Sequence, residues 1–273
     1  MRQEPAQRLQ KALAHLGFGS RRAIEGWIRA GRLTVNGKLP ELGTRVRESD
    51  RIRLDGRLVH QRPAAAQQVF LCHRSPGEPL DAAAMQRSSE LEALVDRLPR
   101  SGGRRFIPVS PMPRQDGGLE IVTSDGALAE RLQRAVRQLT GEFSVRLHGT
   151  LDEAQLASVQ SGALDGGERI AVLECEPRGG EGTNRWYVLS ARGASGRDVR
   201  QLFERSGGMV SRVLRTRLGS VALDRSLSRG RFRRLAPREL DQLLGADAAS
   251  TARRSSRRSP RGSRVRGGPD KGR

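Results

Sequence analysis

The first thirty residues carry apolar positions at a helical period. Leu9, Ala12, Leu13 and Leu16 recur at spacings of three and four up to Gly17, which predicts a short helix. After Phe18-Gly19, Ser20 is placed to cap a second helix, with Ala23, Ile24, Trp27 and Ile28 on its apolar face and Gly31 just past its C-terminus. Leu33-Thr34-Val35 followed by Asn36-Gly37 reads as a strand entering a tight hairpin, and a second strand pair is expected around Asp55-Gly56. Trp27 lies on the apolar face, so it is expected in the core.

From residue 69 onward the pattern becomes one of short apolar runs alternating with helical stretches. Val69-Phe70-Leu71-Cys72, Phe106-Ile107-Pro108-Val109 and Leu119-Glu120-Ile121-Val122-Thr123 read as strands, and 125–139 as a helix capped by Ser124. Thr150-x-x-Glu153 has the form of a capping box for a helix over 151–161, after a strand at 142–148. Strands near 169–176 and 185–191, a helix at 197–206 and a strand from Val210 to Leu218 complete the series. The class implied is α+β: a small helix-and-strand module over 1–62, then a mixed-sheet domain over 63–248. Residues 61–68, with Pro63 and no apolar period, read as a linker, and 249–273 is an Arg/Ser/Gly-rich tail expected to be disordered when free.

Charge changes this picture from a generic fold to a binding protein. The 273 residues carry 50 Lys+Arg against 30 Asp+Glu, a net charge of +20, which points to a polyanionic partner. The excess is not spread evenly: 14 basic residues face 6 acidic ones over 1–62 and 9 face 1 over 250–273, whereas 27 face 23 in between. Lysine occurs only at positions 11, 38 and 271, so the positive charge is nearly all guanidinium. Aromatic residues make up only 3% of the chain, too few for a large stacking surface, so the partner is held mainly by charge. Arg21 and Arg22 open the second helix, where positive charge opposes the helix dipole and a bound phosphate gives it a purpose.

Several chemistries are disfavoured. Cys72 and Cys175 stand far apart with no C-x-x-C pattern and read as buried thiols in a reducing compartment. His15, His60, His73 and His148 have no spacing that suggests metal ligation, and no phosphate-cradling glycine loop is present, so neither metal nor cofactor is expected. The opening MRQEPAQRLQ has no apolar run, and no later run reaches membrane-spanning length, so a soluble cytoplasmic protein is expected.

The segment QRLQKALAHLGFGSRRAIEGWIRAGRLTVNG resembles the S4 RNA-binding domain. That resemblance implies RNA contacts from Arg8, Lys11, Arg21, Arg22, Arg29, Arg32, Asn36 and Lys38. The stretches GGEGTNRWYVLSARGASGRDVRQLFERSGGMVSRVLRTRLG and FIPVSPMPRQDGGLEIVTSDGALAERL resemble the bacterial ribosomal-RNA pseudouridine synthases of the large-subunit branch. The family likeness implies an S4 domain ahead of a mixed-sheet synthase domain, a structured rRNA as partner, a monomer, and no cofactor. It also implies RNA-facing roles for Arg197, Arg200, Arg212, Arg215 and Arg217.

Measured against that family's loop, P-V-G-R-L-D-x-x-T-x-G-L, this chain reads Pro108-Val109-Ser110-Pro111-Met112-Pro113, so Pro113 stands at the catalytic aspartate. Phe143 stands at the family's base-packing tyrosine, Ser195 replaces an arginine, and the K-P-x-G element is reduced to Ser75-Pro76-Gly77. Breaking and remaking a glycosidic bond needs a carboxylate as nucleophile or base. The resemblance therefore implies an RNA-binding protein without the reaction; the rival reading is an active synthase with Asp116 as a relocated carboxylate. Against that rival, Asp116-Gly117-Gly118 also has the composition of an ordinary turn. Tyr187 matches a plain strand position and is expected to be structural.

Overall fold

The computed structural model describes residues 6–59, 68–81, 92–99 and 105–245. Residues 61–67 of the expected linker over 61–68, the basic tail and His60 lie outside these residues.

The N-terminal module comprises β1 (Gln7–Arg8), α1 (Leu9–His15), α2 (Arg21–Arg29), β2 (Leu33–Val35), β3 (Arg45–Val46), β4 (Ile52–Leu54) and β5 (Arg57–Leu58). The apolar positions read from the sequence do converge: Leu9, Leu13, Ile24 and Ile28 meet Leu33, Val46, Ile52 and Val59 in one core, with half-buried Trp27 packed against it. Ser20 caps α2, its Oγ accepting from the Ala23 N–H at 3.1 Å. The tight turn at Asn36-Gly37 forms with φ of 51° and 81°, but only one bridge, Val35 to Lys38, follows it. Pro40 has no N–H to extend such a ladder, and β2 pairs instead with β4. The Asp55-Gly56 turn joins β4 to β5 as expected.

The larger domain is built on β6 (Val69–Arg74), β7 (Ile107–Pro108), β8 (Gly117–Thr123), α3 (Gly126–Val136), β9 (Thr140–His148), α4 (Glu153–Ser161), β10 (Ala171–Pro177), β11 (Asn184–Arg192), α5 (Gly196–Arg205), β12 (Met209–Leu218), β13 (Val221–Ala222) and β14 (Phe232–Arg234). Its strands form one nine-stranded sheet in the order β10-β11-β9-β12-β8-β6-β14, with β13 on β12 and β7 on β8. Every pairing is antiparallel except β8 with β12, so the sheet is mixed, as the α+β expectation required. Two caps fall later than the sequence suggested. Asp125, not Ser124, caps α3 through the Ala127 and Leu128 amides. The capping box of α4 is Asp152 with Gln155, and the Leu151 N–H ahead of it donates to the Tyr187 hydroxyl at 2.9 Å.

Strand β9 alternates buried with half-buried residues along its length. Phe143, Val145 and Leu147 thereby face α5, where they pack with Leu189, Val199 and Phe203. A second core, Leu71, Leu119, Ile121, Leu128 and Leu132, lies between β6, β8 and α3. Each such side chain contributes roughly 1.5–3 kcal/mol by leaving water. The two halves of the sheet join where β8 runs parallel to β12, through only Gly117 with Leu214 and Gly118 with Arg215. Glycine is needed at both positions: a Cβ on Gly117 would lie 2.4 Å from the Arg74 carbonyl oxygen, and one on Gly118, at φ 92°, would lie 2.3 Å from that of Arg215.

Candidate active-site cleft and nucleic-acid interface

The loop from Ser110 to Asp116 crosses this joint, and two buried arginines fix its path. Arg74 donates to the carbonyls of Met112 and Pro113, both at 2.8 Å, and also reaches those of Glu78 and Arg114. Arg215 donates to the Leu119 carbonyl at 2.9 Å and the Ser110 carbonyl at 2.8 Å. Between the two guanidinium groups lies Glu120, accepting from Arg74 at 2.9 Å, from Arg215 at 3.1 Å and from the Met112 N–H at 3.0 Å. All three side chains are about 1% exposed. Burial disfavours charge on both Glu120 and Arg215, while each pulls the other back towards its charged form. Glu120 is enclosed because β8 is buried at every position, with β6 on one edge and β7 and β12 on the other.

Asp116 follows the loop. Its N–H closes a turn onto the Pro113 carbonyl at 3.0 Å, so the expected turn exists. Its side chain, however, points inward and is fully buried, which a surface turn does not require. Oδ1 accepts from Arg200 Nη2 at 2.6 Å and from the Val213 N–H at 2.8 Å, and Oδ2 accepts from Arg200 Nε at 3.0 Å. Arg200 in turn holds Glu204 and the Val210 carbonyl, which leaves its side chain 12% exposed. The pairing and hydrogen bonds hold the guanidinium firmly charged.

Beside the loop opens a cleft of about 670 Å³, lined in part by Pro108, Pro111, Met112, Pro113, Arg114 and Leu80. Its far wall is the start of α5: Ser195, Arg197 and Asp198. Pro113 therefore faces the cleft where the resemblance places a reactive carboxylate, and Asp116 does not line it. Other carboxylates do line it. Asp198 accepts from the Ser195 N–H in the cap of α5, and Glu78 accepts from the Ser75 N–H and pairs with Arg97. Asp81 also lines the cleft, and the sequence motifs gave no sign of it. Phe143 is fully buried in the core beneath. Tyr187 is 3% exposed and its hydroxyl serves the Leu151 amide, which makes it structural.

The N-terminal module presents its basic residues to solvent. Arg8, Lys11, Arg21, Arg22, Arg29, Arg32, Asn36 and Lys38 are all at least partly exposed. Arg21 and Arg22 are the first two residues of α2, whose first turn contains no acidic residue. Arg32 pairs with Asp55 and lies 5.4 Å from the Trp27 ring, so part of its charge is spent within the fold. Asn36 bridges Asp50 and the Arg51 amide and thereby shapes the loop rather than presenting a free side chain. Arg8 and Lys11 line a shallow groove with Arg45, a residue the motif reading missed. Its signal lies in the pairing of β1 and β3, which sets Arg8 opposite Arg45.

The arginines of the larger domain divide. Arg197 lines the cleft mouth, and Arg217 is exposed but 3.6 Å from Glu142. Arg212 is half-buried on the sheet. For Arg200 and Arg215 the RNA-facing expectation is corrected: both are turned inward and saturated by protein acceptors. Both cysteines are buried and unpaired, and burial pushes the Cys175 thiol up to about 11 and Cys72 higher still. Among the described residues no cluster of His, Cys, Asp or Glu could hold a metal ion, and no helix is long and apolar enough to cross a membrane.

A basic helix-and-strand module ahead of a mixed sheet with a loop-walled cleft defines an S4-domain protein with a pseudouridine-synthase fold. The S4 domain family matches residues 7–52. A solved pseudouridylate synthase superposes with a TM-score of 0.56 at 20% identity, covering 86% of this chain and 99% of that one. Ribosomal large subunit pseudouridine synthase B of Escherichia coli (strain K12) is 34% identical over 271 residues, 96% of this chain and 92% of that protein. The protein of the same name from Pseudomonas aeruginosa is 36% identical over 241 residues, 87% of this chain but 61% of its own longer length. This chain belongs to the ribosomal large subunit pseudouridine synthase B family.

Proposed function

We propose that this chain binds rRNA as its relatives' names imply, in the cytoplasm, and does not isomerise uridine. The observation that carries the reading is the pairing of two facts: Pro113 forms the cleft wall, and the nearest carboxylate in sequence, Asp116, is fully buried with both oxygens occupied by Arg200 and Val213. A nucleophile or base must reach the reacting atom within hydrogen-bonding distance. Drawing Asp116 into the cleft would break three hydrogen bonds, two of them the paired contacts with Arg200. Binding needs none of this. The exposed arginines of the N-terminal module and Arg197 at the cleft mouth supply charge for phosphates, and the buried arginine clamp keeps the cleft shaped.

The test is pseudouridine mapping on an unmodified large-subunit rRNA transcript incubated with the full chain, with binding measured in parallel. Binding without new pseudouridine is the expected result. New pseudouridine would overturn the reading, and its loss in Asp116→Asn or in Asp81→Asn would say which carboxylate acts.

A further inference from the structure

The nine-stranded sheet ends on one side at β10, which pairs only with β11. Its outer edge is met at Ile170, whose N–H donates to the Gly162 carbonyl at 2.9 Å, and beyond that point no strand lies against it among the described residues. Arg178 donates its N–H inward, to the Trp186 carbonyl at 2.7 Å. The two-residue alternation of an antiparallel ladder then turns the main-chain N–H and C=O of Cys175 to the outer edge. A bulge between Val172 and Glu174 leaves Leu173 without a partner on β11 and 56% exposed. An open edge of this kind is a template for a further strand. Its side chains decide which strand. Cys175 is buried in the core beside α5, so Glu174 and Glu176 stand on the opposite face, two residues apart. Glu174 forms no ion pair among the described residues, and Glu176 has only Arg178, exposed and 3.7 Å away.

We propose that the outer edge of β10 is the docking site of the chain's own C-terminal segment, with residues 263–266 laid along 173–176 as an added strand. Ser263-Arg264-Val265-Arg266 lies outside the described residues, in a tail where nine basic residues face one acidic one. In an extended strand Arg264 and Arg266 share one face, with the same two-residue period as Glu174 and Glu176, and opposite charges across a ladder attract. Val265 between them falls on the side of Cys175 and Val172, which belong to the core and its margin. The segment can reach. The helix over 237–245 packs Leu240, Leu243 and Leu244 on the core of β6 and β8, and β8 is four strand spacings from β10, roughly 19 Å. Arg264 is 19 residues beyond Gly245, a span of up to roughly 60 Å. The opposite edge of the sheet, β14, carries Arg233 and Arg234 and repels the same segment. While docked, these arginines are withheld from other anions, and the docking itself requires no RNA.

The experiment follows exchange of the Cys175 amide by NMR in four full-length proteins without RNA, so its outcome is independent of the RNA-binding reading. They are the natural chain, Arg264→Glu with Arg266→Glu, Glu174→Lys with Glu176→Lys, and all four substitutions together. Exchange at Cys175 is expected to be about tenfold faster in each double variant, the scale of two opposite-charge cross-strand pairs. The fourfold variant, with both charges swapped, should recover the slow rate. Amides of β14 should not change in any of them, and added salt should bring the natural chain towards the rate of the tail variant. The tail variant alters no described residue, so the test survives if the β10 variants fail to fold. Equal Cys175 rates in the natural chain and the tail variant would overturn the proposal. Protection that disappears on tenfold dilution would overturn it as well, because the added strand would then come from a second copy.

Discussion

Asp116 and Arg200, 84 positions apart in sequence, meet in two parallel hydrogen bonds of 2.6 and 3.0 Å that close the space beneath the loop. The pair ties the end of that loop to α5, and through the Val213 amide to β12 as well.

Removing the carboxylate leaves Arg200 facing a buried void. Asp116→Ala is expected to destabilise the protein by about 3–5 kcal/mol, the usual cost of stranding one member of a buried pair. Urea unfolding of both proteins measures this. A change below about 1 kcal/mol, the range of an exposed pair, would show that the pair holds nothing together.

Glu120 separates two buried guanidinium groups, so Glu120→Leu brings their charges into mutual repulsion. A destabilisation of about 3–5 kcal/mol is again expected, accompanied by faster amide exchange at Met112, whose N–H that carboxylate accepts. Replacing Arg74, Glu120 and Arg215 together with apolar residues should not recover the stability. The carbonyls of Ser110, Met112 and Pro113 would remain buried without donors.

The N-terminal module should weaken in acid. Asp50 accepts from the Arg47 amide at 2.7 Å and from Asn36 at 2.9 Å, and these bonds hold its carboxyl below the ordinary value of 3.8. A carboxyl depressed in the folded state stabilises at pH above its unfolded value, and that contribution is lost as pH falls through the folded value. Thermal unfolding followed by Trp27 emission in a Trp186→Phe background should therefore drop between about pH 5 and pH 2, roughly the window for such a group. Asp50→Asn should lower stability at about pH 6, where the carboxylate is fully charged, and flatten the acid limb.

Charge on α2 is the simplest to remove. Arg21→Ala and Arg22→Ala each delete one exposed guanidinium, and each should reduce the salt slope of RNA binding by roughly 0.7 if it meets a single-stranded phosphate. Unchanged unfolding midpoints in both would place the effect on binding alone.

How much of this was legible depended on distance along the chain. The helix cap at Ser20 and the turn at Asp55-Gly56 are local, and the sequence pattern located both. Asn36-Gly37 was legible as a turn but not as the end of a ladder, because its strand finds β4 rather than its neighbour. Glu120 and Arg215 could not be placed from pattern. A charged residue inside an alternating strand reads as solvent-facing unless its partner, 95 residues away, is known. The inward turn of Asp116 was hidden for the same reason. The cleft's replaced residues were visible only through the family likeness, since nothing about Pro113 itself marks the position as one where a carboxylate is missing.

The clamp on the loop holds Pro113 by its main-chain oxygen, and Arg74 would find the same oxygen on any amino acid. The side chain at 113 takes no part in that clamp. A carboxylate can thus be set at that point without disturbing the hydrogen bonds that shape the loop, and Pro113→Asp asks how near this scaffold stands to an enzyme.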